Sequence, residues 1–215
     1  MTGADPHADA PVLTAGAEPK AAKAAMILLH GRGATARDII GLAGAIGRPD
    51  VAYVAPQASG NTWYPHRFLV PRAENQPHLD SAHAVVARLL AMLAGQGLPA
   101  EKVILAGFSQ GACLASDHAA RNPRRYGGVV AFSGGLIGDR IEVADFTGSL
   151  AGTPAFVGCS DVDGHIPAER VRKTAEVLGA LGAAVTLRLY PGMGHTINQD
   201  EIAAAQAMVD GVRGG

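Results

Sequence analysis

Cysteine is almost missing from this chain: Cys113 and Cys159 are its only two. Two thiols build no disulfide framework. The eight histidines include no H-E-x-x-H run, and no cysteine pair has zinc spacing, so neither a catalytic metal nor a cofactor is expected. A charge excess is missing as well. Lys and Arg number 18 against 19 Asp and Glu, for a net charge of −1, and the basic residues form no long run. That removes the footprint of a nucleic-acid binder and any strong pull toward acidic membrane surfaces. No stretch approaches the roughly 18 unbroken apolar residues of a membrane span. The segment 1–23 carries Asp5, Asp9 and Glu18 and lacks the apolar centre of a secretory signal. A cytoplasmic protein is expected, and the sequence leaves a homodimer open.

What is present is a large apolar fraction. Of 215 residues 48% are hydrophobic and 17% charged, which excludes bulk disorder and favours one domain with a substantial core. The expected organisation is a flexible tail over 1–10 and a single domain over 11–215. Short β-type runs at 11–14, 24–29, 51–55, 102–107, 127–132, 154–158 and 184–190 alternate with helical ones. Helices are predicted over 36–45, with Thr35 as cap and Asp38 at the capping-box position, and over 79–94, 110–120, 168–181 and 202–212. This alternation predicts an α/β fold, a mostly parallel sheet with helices on both faces and no separate cap domain. In such sheets chemistry gathers at the carboxyl ends of the strands. The long loop 57–76, rich in Pro, Asn and Arg, is a functional candidate.

Directly after the predicted strand 102–107 stands Gly107-Phe108-Ser109-Gln110-Gly111, followed by a helical run. This is G-x-S-x-G, a sharp strand-to-helix turn that lifts a serine hydroxyl out at the sheet's end. A serine needs a base, and the base an orienting acid. Both follow in order and both just past strands: Asp161 or Asp163, then His195 in Pro191-Gly192-Met193-Gly194-His195. An oxyanion needs two backbone N–H donors. Gln110, next to the serine, supplies one, and Arg32 in the early turn His30-Gly31-Arg32-Gly33 the other.

Together these segments resemble the phospholipase/carboxylesterase family of α/β-hydrolases. The matching pieces are Leu29-His30-Gly31-x-Gly33, Trp63-Tyr64, the Ser109 turn, Ser133-Gly134-Gly135-Leu136, Asp163-x-x-x-Pro167 and Gly194-His195. The resemblance implies a Ser109–Asp163–His195 triad, the acid standing four positions before the proline, with Arg32 and Gln110 as oxyanion donors. It implies hydrolysis of small carboxylic esters through an acyl-enzyme, with thioesters or lysophospholipids as the alternative substrates. Three positions depart from the family pattern: Arg32 after His-Gly, Gly164 after the acid, and the Trp63 loop with His66, Arg67 and Arg72.

Trp63, Ile166 and Met193 are expected to line the substrate pocket, and Trp63 is equally suited to pinning its loop. Arg32, Arg67 and Arg72 are candidates for a rim that favours acidic substrates. Cys113 and Cys159 read as packed thiols, His30 as a structural hydrogen-bonding residue, His118 as a partly exposed helix residue and His165 as an ordinary loop residue. With no room for a helical cap, the site is expected to be shallow and to prefer short acyl chains.

Overall fold

A computed structural model describes residues 5–214. Strands β1 (Val12–Gly16), β2 (Ala24–Leu29), β3 (Val51–Pro56), β4 (Val103–Phe108), β5 (Gly128–Phe132), β6 (Pro154–Ser160) and β7 (Ala184–Tyr190) form one sheet. Its order is β1-β3-β2-β4-β5-β6-β7. Only β1 runs antiparallel to its neighbour; the other pairs are parallel. Each predicted strand recurs with its ends shifted by two residues or fewer.

Side chains of the inner strands alternate between two apolar layers. On β2, Ala25, Ile27 and Leu29 pack with α3 (His78–Gly95), α4 (Gln110–Arg121) and α5 (Ala168–Ala180). Ala24, Met26 and Leu28 face the opposite layer, with α1 (Ala36–Ile40), α2 (Leu42–Ile46) and α6 (Gln199–Gly214). Burial on both sides explains why β2 and β3 read as unbroken apolar runs.

The predicted helix over 36–45 is two short helices that part at Gly41. Its start follows the sequence: the Thr35 side chain accepts from the Asp38 N–H, and the Asp38 carboxylate accepts from the Thr35 N–H. The expected tail is corrected over residues 5–10; residues 1–4 lie outside the described residues. His7 is buried, its N–H donates to Ser81 Oγ (2.8 Å), and its ring bridges the Ser59 N–H and the Trp63 carbonyl. Asp5 pairs with Arg88 at 3.0 Å. These partners come from loop and helix far along the chain, so local composition does not signal them.

The site's position follows from topology. β2 is flanked by β3 on one side and β4 on the other, so the chain reverses its direction of spread there. Leu29 pairs with Gly107, which sets the turn after β2 beside the turn after β4. Ligands of open α/β sheets bind at such a switch point.

Candidate active site

Ser109 occupies the one-residue turn between β4 and α4 at φ 55° and ψ −118°, a strained backbone for a residue with a side chain. Its N–H is tied to the Phe132 carbonyl at 2.9 Å. The flanking glycines are required by close approach: a Cβ at Gly107 would strike the Gly111 and Ala112 backbone, and one at Gly111 would strike the Leu29 carbonyl.

The loop after β6 and the loop after β7 meet beside this turn. His195 Nδ1 lies 2.7 Å from Asp163 Oδ2, and the Asp163 side chain is fully buried. Asp163 Oδ1 accepts the N–H groups of His165 (2.8 Å) and Ile166 (3.1 Å). Burial alone would raise the Asp163 carboxyl, but the His195 contact and these two N–H bonds outweigh it and hold it below the usual range. An ionised carboxylate only accepts, so the His195 proton sits on Nδ1 and Nε2 is left as the acceptor. The rings of Phe108 and His165 flank the imidazole, each with its centroid 4.8 Å away. Asp161 has a different task, accepting the Gly192 N–H at 2.9 Å and so bracing the loop that carries His195. Among the described residues no hydrogen bond joins the Ser109 hydroxyl to His195, although both line one pocket. In ligand-free sites such contacts are often long and tighten on binding.

The turn after β2 comes close to the serine: a Cβ at Gly31 would lie 3.4 Å from Ser109 Cβ. Gln110 opens α4, so its N–H has no intrahelical acceptor. The Gln110 side chain instead fastens the Trp63 loop, accepting the Trp63 N–H (2.9 Å) and donating to the Tyr64 carbonyl (2.9 Å). His30 is a neutral strut, its Nδ1 donating to the Gly31 carbonyl while Nε2 accepts the Ala58 N–H.

The pocket holds about 320 Å³. Of the three expected lining residues only Ile166 is present. Trp63 is fully buried behind the loop, its indole N–H donating to the His30 carbonyl, so it pins the loop and walls nothing. Met193 is turned aside, its sulfur accepting from Asn198 Nδ2. Tyr64, Phe68 and Phe108 supply the aromatic wall, and His165 lines the pocket too. Phe108 was signalled as the variable residue of the motif; Phe68 had no signal beyond its long loop.

The remaining candidates resolve by burial. Cys113 and Cys159 are buried, and burial pushes both thiols up to about 12, so neither is a nucleophile at neutral pH. His118 is buried, not partly exposed, and burial pulls it down to about 3. Arg72 turns inward to Asp117 at 2.6 Å. Burial would raise Asp117; His83, Arg72 and Arg121 reverse this and hold it well below the usual carboxylate range.

Residues 13–212 match the model of a family described as phospholipase/carboxylesterase. The chain is 28% identical to acyl-protein thioesterase 1 of Debaryomyces hansenii, covering 94% of this chain and 97% of that protein. Among solved structures, the phospholipase/carboxylesterase of Dyadobacter fermentans is 42% identical with a TM-score of 0.89, over 97% of this chain and 98% of its own. Esterase PE8 is 30% identical with a TM-score of 0.76, over 94% and 98% respectively.

Proposed function

The chain is a hydrolase of the phospholipase/carboxylesterase family of α/β-hydrolases, and on that premise we propose that it cleaves short-chain carboxylic esters through Ser109, His195 and Asp163. The observation that carries this reading is the 2.7 Å pairing of His195 Nδ1 with a buried Asp163 at the same pocket as the strained Ser109.

Ser109 Oγ attacks the ester carbonyl while His195 Nε2 takes its proton. Asp163 holds the tautomer and balances the imidazolium charge. The N–H groups of Gln110 and Arg32 receive the oxyanion, each worth ~3 kcal/mol by analogy with a single oxyanion donor. Collapse expels the alcohol, which leaves with the proton from His195. Water, deprotonated by the same imidazole, then frees the acid and restores the serine. The pocket's modest volume supports short acyl chains. The likeness to a protein named acyl-protein thioesterase supports thioesters as a second substrate class for the same machinery.

A fluorophosphonate probe tests the nucleophile: labelling should map to the Ser109 peptide and vanish in Ser109→Ala. Rates on aryl esters from acetyl to dodecanoyl test the chain-length claim, and a maximum at the long end would refute it. Turnover of a short ester against a thioester of the same acyl group and a lysophospholipid ranks the substrate classes.

A further inference from the structure

Four arginines lie at or behind the pocket wall, and three are already engaged. The Arg32 guanidinium donates to the carbonyls of Tyr64, Pro65 and His66. Arg170, 5.8 Å from the Phe68 ring centroid, donates to the carbonyls of Leu136, Gly138 and Asp139. Arg72 is spent on buried Asp117. Arg67 differs: it is exposed, lines the pocket, and among the described residues its guanidinium has no carboxylate or carbonyl partner.

Nothing else in the pocket balances that charge. Among the described residues no Asp or Glu lines it. The carboxylate behind His195 is closed off, with Asp163 fully buried and its oxygens occupied by His195, His165 and Ile166. The Arg67 charge therefore faces a site whose walls, Tyr64, Phe68, Phe108 and Ile166, are largely apolar. Low-dielectric walls strengthen an ion pair formed against them. A guanidinium also offers a carboxylate two parallel N–H bonds.

We propose that Arg67 is a specificity-determining residue that selects short esters bearing a free carboxylate. The inference rests on the esterase reading above and adds the substrate class. A pocket of about 320 Å³ has space for a short dicarboxylate monoester while leaving the Ser109 end for the scissile carbonyl.

The test compares charged substrates with neutral isosteres. Monoethyl succinate is set against ethyl succinamate, which places the anion on the acyl side. O-acetylglycolate is set against O-acetylglycolamide, which places it on the alcohol side. In the wild type one pair should show a preference of ~10-fold in kcat/KM for the anion, seated mainly in KM, as one charge-assisted hydrogen-bonded pair provides. Arg67→Met should bring that ratio to about one, Arg67→Lys should keep part of it, and added salt should erode it in the wild type. Because the readout is a ratio, a general loss of activity in a variant does not imitate the result. A wild-type ratio of one or less in both pairs, or a ratio unchanged in Arg67→Met, overturns the proposal. If 4-nitrophenyl acetate is still hydrolysed in a Ser109-dependent manner, the esterase reading survives that failure. If it is not hydrolysed, both readings fall together.

Discussion

Ser109 pays a backbone cost of ~1–3 kcal/mol for its positive φ. Glycine would not. Ser109→Ala and Ser109→Gly should both lose activity by ~10⁴–10⁶-fold if the triad acts as a unit. Their stabilities should differ, with the glycine variant melting higher because it relaxes the turn. Calorimetry on the two dead variants reads this without interference from catalysis; equal melting points would show the turn to be unstrained. Asp163→Asn tests the other end of the proposed triad. The His165 and Ile166 N–H bonds can persist, but an amide facing Nδ1 favours the wrong imidazole tautomer. A fall in kcat of ~10⁴-fold is expected by analogy with the same exchange in other triads. A loss below tenfold would remove Asp163 from its role.

At the scale of elements, two turns are set against each other with no spare volume. Gly111→Ala drives a methyl into the Leu29 carbonyl, so folding should be weakened by ~3 kcal/mol or more, read by urea denaturation. The strands were legible because burial on both faces leaves an apolar run, as in Val51–Pro56. That Ser109, Asp163 and His195 gather at one end of the sheet was legible because each follows a strand. The helix over 36–45 was misjudged as continuous because Gly41 keeps helical angles, φ −57° and ψ −23°, while the chain still divides there. Trp63 was open in sequence because a lone tryptophan beside a pocket and one beneath a loop have the same composition around them. Its burial is decided by His7 and His30, whose rings lie 5.5 and 5.1 Å from it. Arg72 was open for the same reason, since its partner Asp117 sits on α4, far along the chain.

For the molecule as a whole, Glu201 governs a change of stability between weakly acidic and neutral pH. Glu201 is buried at the start of α6, exchanging hydrogen bonds with Asn198 while its Oε1 has no partner. Burial pushes its carboxyl up to about 7 from an ordinary 4.5. A raised acid favours the protonated folded state. Its full contribution is present below about 4.5 and is lost as pH rises through about 7. Over that window Glu201→Gln should gain roughly 2–3 kcal/mol relative to the wild type, with no relative change below it. Unfolding curves at pH 4, 6 and 8 check both the size and the sign. A gap that does not widen with pH would show the wild-type carboxylate to be solvated.

The docking of His7 on the fold bears on how the protein is handled. His7 bonds the Trp63 carbonyl, the Trp63 N–H bonds Gln110, and Gln110 stands next to Ser109. A linker or label that displaces His7 would break that relay. A label on the exposed face of α6, at Ala203 or Ala207 in the opposite helical layer, would not, which makes that face the better handle for surface immobilisation.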